Sequence, residues 1–177
     1  MGSTESTLSE AELDELQHST NFTPTEIRRL YKRFRKLDKD DSGAITTDEF
    51  MMIPELSMNP LAPRTIALFD TDHDDAVNFK EFIEALSVFS VRGAKREKLQ
   101  FAFKIYDLDK DGYISNKDLF LVVKTMVGSN LTEVQLQQIV DKTILEADLD
   151  GDGKISFDEF CKVLEATDLA AKLSIKL

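Results

Sequence analysis

The chain has 177 residues, 42% of them hydrophobic, which is enough for one ordinary domain or two small lobes and too apolar for wholesale disorder. Acidic residues outnumber basic ones, 33 to 22, for a formal charge of −11; with no Lys/Arg run to override it, this excludes nucleic acid as a partner. The apolar stretch Leu119 to Val123 ends at Lys124 and is far too short to span a membrane.

Residues 1–22 are rich in Ser, Thr and Glu, show weak periodicity and are expected to fold poorly on their own. Their start, Met1-Gly2-Ser3-Thr4-Glu5-Ser6, matches the acceptor pattern for myristoylation at Gly2. One such chain gives marginal membrane binding, and no polybasic patch follows it. Thr23-Pro24-Thr25-Glu26 is a capping box with proline in the first turn, and Ile27, Leu30, Tyr31, Phe34 and Leu37 continue as a helical stripe. An acidic run opens at Asp38 and another at Asp70. A second stripe follows, Phe79, Phe82, Ile83, Leu86 and Phe89. Ser90-Val91-Arg92-Gly93 reads as a joint dividing residues 23–89, an N-lobe, from 90–177, a C-lobe with its tail. Further acidic runs open at Asp107 and Asp148, with a capping box at Thr132-Glu133-Val134-Gln135 starting a helix that runs toward Ala147. Cys161, the single cysteine, permits no internal disulfide, fits a reducing compartment and sits in an apolar pattern suited to packing. The unit is helix, acidic loop, helix, repeated four times.

Each acidic run fits a twelve-residue calcium loop, which needs oxygens at positions 1, 3 and 5, a carbonyl at 7, a side chain or water at 9 and a bidentate carboxylate at 12. The first offers Asp38, Asp40, Ser42, the carbonyl of Ala44, Thr46 and Glu49, one carboxylate fewer than the others. The second offers Asp70, Asp72, Asp74, the carbonyl of Ala76, Asn78 and Glu81, with Asp75 where a left-handed turn favours glycine. The third offers Asp107, Asp109, Asp111, the carbonyl of Tyr113, Ser115 and Asp118, whose shorter arm shifts the expected selectivity toward Mg²⁺. The fourth matches in full: Asp148, Asp150, Asp152, the carbonyl of Lys154, Ser156 and Glu159. Four Ca²⁺ would bring the charge from −11 to about −3. The β-branched residues Ile45, Val77, Ile114 and Ile155 at position 8 predict short β-bridges joining loop 1 to loop 2 and loop 3 to loop 4. The expected fold is all-α, four EF-hands paired into two lobes. His18 and His73 lack metal-ligand spacing, and no nucleotide loop, nucleophile elbow or zinc pattern is present, so no catalytic residues are expected.

Beyond the loops, Phe79-Lys80-Glu81-Phe82-Ile83-Glu84, the run Lys98 to Asp107, Asp111 to Asn116, Met126 to Leu131 and Gln135 to Thr143 resemble the calcineurin B regulatory-subunit family, over roughly Thr23 to Leu169. Residues 8–22 diverge from it, as do Asp75 and Asp118. The resemblance implies a non-catalytic subunit that binds a long helix of the calcineurin catalytic subunit, a calcium/calmodulin-dependent serine/threonine phosphatase. It also implies that Leu121, Val122, Met126, Val127, Asn130 and Leu131 contribute to partner surfaces, including docking substrates and immunophilin–drug complexes. The family's myristoylation strengthens the reading of Gly2. The expected location is the cytoplasm, with peripheral membrane association through the acyl chain. The alternatives are a free-standing myristoylated sensor of a kinase or channel and a calcium buffer.

Overall fold

The computed structural model describes residues 7–166. Helix α1 (Glu10–Ser19) precedes α2 (Pro24–Leu37), and both open with a full capping box, Ser9 with Glu12 and Thr23 with Glu26. Then follow β1 (Ala44–Thr46), α3 (Thr47–Met51), α4 (Pro54–Ser57), α5 (Ala62–Ala67), β2 (Ala76–Asn78) and α6 (Phe79–Phe89). After a turn come α7 (Lys95–Tyr106), β3 (Tyr113–Ile114), α8 (Asn116–Val127), α9 (Glu133–Ala147), β4 (Ile155–Ser156) and α10 (Phe157–Ala166). Among the described residues no helix is long and apolar enough to cross a membrane.

The loops pair as the position-8 residues predict. Ile45 faces Val77 across an antiparallel β1–β2 bridge, and Ile114 faces Ile155 across β3–β4. All four side chains are at most 5% exposed, so each bridge is also the floor of a core. The first core gathers Ile27, Phe34, Ile45, Val77 and Ile83, with Phe34 edge-on to Phe79 at 5.3 Å. The second gathers Phe103, Ile114, Val140, Ile155 and Phe160.

Residues 8–22, expected to fold poorly on their own, fold against the N-lobe: α1 buries Leu13 and Leu16 in the first core, and Leu8 packs against it. The segment is stitched down by Asn21 N–H, which donates to Ser87 Oγ at 2.8 Å, and by Arg92, which donates to the Asn21 carbonyl at 2.9 Å. The helix after loop 1 is broken into α3 and α4, because Pro54 cannot continue α3. The helix before loop 2 is correspondingly the six-residue α5.

The joint is tight. A Cβ on Gly93 would collide with the carbonyl oxygen of Val88, so glycine is required for the chain to turn between α6 and α7. Phe101 of α7 meets Phe69 at 5.6 Å and Phe89 at 4.8 Å, bringing aromatic rings of both lobes together. Arg64 on α5 donates to the carbonyls of Lys104 (2.9 Å), Ile105 (2.7 Å) and Asp107 (2.8 Å), where α7 ends and loop 3 begins. A fixed cation on a helix's orphan carbonyls is stabilising. Arg64→Ala should therefore lower stability by about 1 kcal/mol in urea unfolding. It should also speed amide exchange in the last turn of α7.

Candidate metal centres

Each bridge sets two loops side by side, and each loop turns its carboxylates inward. In three loops the position 1, 3 and 12 carboxylates converge, with one oxygen from each lying within 4.8 Å of the others: Asp38, Asp40 and Glu49; Asp70, Asp72 and Glu81; Asp148, Asp150 and Glu159. In the third loop the converging set is Asp107, Asp109 and Asp111, and Asp118 is not in it. Three carboxylates this close repel one another unless a cation or protons intervene. Asp72 shows the strain: burial and the charges of Asp74 and Glu81 push its carboxyl up. In Asp150 an N–H bond from Asp152 opposes the rise, but burial and the charges of Asp152, Glu159 and Asp148 outweigh it. Oxygen-only, anionic and crowded, the donor sets fit a hard divalent cation.

Position 12 has a second task. Its residues are 4–7% exposed, and each completes a capping box with position 9 at the start of the helix leaving the loop. Thr46, Asn78, Ser115 and Ser156 each accept the position-12 N–H, while the position-12 carboxylate accepts their backbone N–H at 2.8–3.0 Å. The side chains at position 9 are thus engaged as helix caps. The signal is present in every loop as [S/T/N]-x-x-[E/D], but the metal pattern alone does not assign it to a cap.

The glutamates also reach backwards. Glu49 Oε1 accepts from Lys39 N–H (2.7 Å), Glu81 Oε1 from Thr71 (2.8 Å) and Glu159 Oε1 from Leu149 (2.7 Å). Each therefore ties its helix to position 2 of its own loop. N–H bonds from Ser156 and Leu149 hold the Glu159 carboxyl down at about 2 despite burial. A depressed carboxyl adds stability that is present above its ordinary value of 4.5 and is lost as pH falls through about 2. Asp118 caps Ser115 but makes no bond back to loop 3 among those described.

At position 1 the loops differ again. Asp70 and Asp148 spread both oxygens over loop N–H groups, and Asp38 does so through Ser42 and Gly43. Among the described residues the Asp107 carboxylate accepts only Gly112 N–H, at 3.1 Å, and its buried Oδ1 has no hydrogen-bond partner. An orphaned buried carboxylate oxygen aimed into an acidic ring is what a cation would satisfy. Position 5 is less available. Asp74 accepts Ala76 N–H, Asp152 accepts Lys154 N–H, and Asp111 is bound by Lys154 Nζ at 3.0 Å, which holds its carboxyl below the usual range. Ser42 Oγ donates to the Ala44 carbonyl at 2.9 Å. Of the remaining position-7 carbonyl residues, Ala76 and Tyr113 open β2 and β3 as Ala44 opens β1, and Lys154 directly precedes β4.

Asp75 adopts φ +67°, the left-handed turn that Gly43, Gly112 and Gly153 make at the same position. Position 4 is left-handed too, at Asp41, His73, Lys110 and Gly151, a feature the ligand spacing does not foretell. Asp75→Gly relieves a side chain at positive φ and should stabilise the N-lobe by about 1 kcal/mol in metal-free urea unfolding.

The expected partner residues lie at the end of α8 and in the turn beyond it. Leu121 and Met126 are 42% and 49% exposed, Asn130 is exposed, and Val127 and Leu131 are half-buried. Val122 is corrected: at 2% exposed it packs inside the lobe and presents no surface. Cys161 is half-buried, and burial pushes its thiol up, against reactivity. Gly2 lies outside the described residues.

The family described as the EF-hand domain pair matches residues 27–87 and 96–165, which are the two lobes. The chain is 63% identical to calcineurin B of Naegleria gruberi over 177 residues, all of both chains. It is 58% identical over 164 residues to calcineurin B of Candida glabrata, covering 93% of this chain and 94% of the relative. It is 50% identical over 176 residues to type 1 calcineurin B of Dictyostelium discoideum, covering 99% and 98%.

Proposed function

The chain belongs to the calcineurin B family of EF-hand proteins, and we propose that it acts by holding a helix of the calcineurin catalytic subunit along its two lobes. The chain is the calcium-binding regulatory subunit and is not itself catalytic; full-length identity of 63% to a calcineurin B carries this reading. All four loops take calcium, and the third also takes Mg²⁺. Calcium supplies the positive charge that lets three crowded carboxylates share one small volume. The chain's own part is to convert that into helix geometry. Position 12 belongs at once to the loop and to the first turn of α3, α6, α8 or α10, so drawing its oxygens inward moves the helix it caps. The apolar residues exposed on α8 and α9, Leu121, Met126, Val134 and Ile139, offer contact area for an amphipathic helix. The same end of α8, with Val127, Asn130 and Leu131, extends the surface toward docking substrates and immunophilin–drug complexes.

Calorimetric titration with the partner helix of a calcineurin catalytic subunit, in calcium and in chelator, tests the proposal. Tight binding in calcium is expected. Absence of binding with the loops filled would move the assignment to a free-standing sensor. Gly2 is proposed as a myristoyl acceptor, so co-expression with a myristoyltransferase should raise the intact mass by one acyl group, and an unchanged mass removes that assignment.

A further inference from the structure

We propose that Arg64 of the N-lobe is a positioning residue of the third metal centre, fixing position 1 of a loop that belongs to the other lobe. Among the described hydrogen bonds, loop 3 does least to hold its own position 1. The carboxylates of Asp38, Asp70 and Asp148 each accept N–H groups of their own loop on both oxygens. The Asp107 carboxylate is held on Oδ2 alone, by Gly112 N–H at 3.1 Å. The tie from position 12 is missing as well. Glu49, Glu81 and Glu159 each accept the N–H of position 2, and Asp118 makes no such bond among those described. Held so little from within, the start of loop 3 depends on a hold from outside.

Arg64 gives that hold through the backbone. Its Nε donates to the Ile105 carbonyl at 2.7 Å, and its Nη2 donates to those of Lys104 at 2.9 Å and Asp107 at 2.8 Å. A planar guanidinium meets all three at once, so the last turn of α7 and the first residue of loop 3 rest against one rigid group. Asp107 is also the C-cap of α7, its N–H donating to the Phe103 carbonyl at 3.0 Å. With its N–H and its carbonyl both engaged, the Asp107 backbone is set. Its buried side chain then converges with Asp109 and Asp111, and the orphaned Oδ1 stays available to a cation.

Arg64 is itself anchored. It is half-buried on α5, whose Ala62 and Ile66 lie in the first core. Phe69, just past α5, packs on Phe101 of α7 at 5.6 Å, and the tight turn at Gly93 fixes α7 against α6. The N-lobe core therefore presents these donors to loop 3 at a constant place. A loop ordered before the ion arrives loses less freedom on binding it, and groups that orient ligands in this way carry a large share of metal affinity. The guanidinium charge acts in the opposite sense, because it repels a dication in the loop. Lysine separates the two effects: it keeps the charge and lacks the fork.

The inference rests on calcium filling loop 3. The test is titration of the full chain with chelator-buffered calcium, followed by the amide shifts of Gly112 for loop 3, Gly153 for loop 4 and Gly43 for loop 1. Arg64→Lys should lower calcium affinity at loop 3 by about tenfold and leave loop 1 within about twofold. Loop 4 should fall by a smaller factor, through the Ile114–Ile155 bridge. Arg64→Ala should lower loop 3 affinity less than Arg64→Lys does, because it also removes the repelling charge. Both variants should speed exchange of the Gly112 amide in the metal-free protein. Phe89→Leu loosens the same joint by removing a ring from Phe101 without touching the three carbonyls, and should leave loop 3 within about twofold. An equal loss in Phe89→Leu would reduce Arg64 to a general support of the joint and overturn the proposal. So would a loop 3 affinity unchanged in Arg64→Lys or raised in both Arg64 variants. A Gly112 amide of the unmodified chain that ignores calcium would remove the calcium assignment of loop 3, and the proposal with it.

Discussion

Glu159→Gln should weaken calcium binding at the fourth loop by about a hundredfold or more, leaving the N-lobe sites within about twofold. The carboxylate spans two places at once. One oxygen accepts Ser156 N–H at 2.8 Å, starting α10, and the other accepts Leu149 N–H at 2.7 Å and Asp150 N–H at 3.2 Å, closing the loop. Glutamine has one acceptor and one donor. Whichever way the amide turns, its NH₂ meets backbone N–H groups at one end, and that end of the span opens. The substitution also removes one negative charge from the ring formed with Asp148 and Asp150, so the attraction for a dication falls along with the ligand count. The third loop should weaken too, by a smaller factor, because Ile114 and Ile155 pair across the loops. Isothermal titration with calcium, with amide shifts of Gly153 and Gly43 as reporters for the two lobes, separates these effects. An unchanged fourth-site affinity would remove Glu159 from the ligand set.

The loops were legible because chelation prescribes residue types at fixed offsets, and four copies of one offset pattern are hard to assemble by chance. The pairing was legible because one β-branched residue per loop, at position 8, has nowhere to go except across to its partner. The attachment of α1 was not legible, because it depends on residues far away in sequence: Leu13 and Leu16 are only two apolar positions, and their partners lie in α2 and α6. Arg64 gave no signal for the same reason, since it reaches carbonyls that carry no side-chain identity. The break after α3 is written in Pro54, but a regular helix–loop–helix repeat masks it.

Asp118→Glu should raise calcium affinity at the third loop by between about tenfold and a hundredfold and reduce the competition from Mg²⁺ there. In the three loops closed by glutamate, the position-12 side chain joins positions 1 and 3, with one oxygen of each within 4.8 Å of the others. In loop 3 it does not, and the buried Oδ1 of Asp107 is left without a partner. One methylene accounts for the difference. Asp118 can cap Ser115, with Oδ2 accepting Ser115 N–H at 2.9 Å, but it lacks the length to hold that cap and also cross the loop. A ligand able to bring only one oxygen leaves a lower coordination number. This favours the smaller, six-coordinate Mg²⁺ over Ca²⁺, which takes up to about eight oxygens. Restoring the methylene should let the lengthened side chain reach back toward Leu108 N–H, as Glu159 reaches Leu149 and Glu81 reaches Thr71. The reciprocal change, Glu159→Asp, should impose the loop-3 behaviour on loop 4: a calcium affinity lower by a similar factor and a rise in relative Mg²⁺ affinity. Calcium titrations with and without millimolar Mg²⁺ on both variants give the comparison. If Asp118→Glu gains nothing while Glu159→Asp loses heavily, arm length is not what sets loop 3 apart. The ion pair between Lys154 and Asp111, which occupies position 5 of that loop, then becomes the cause to test.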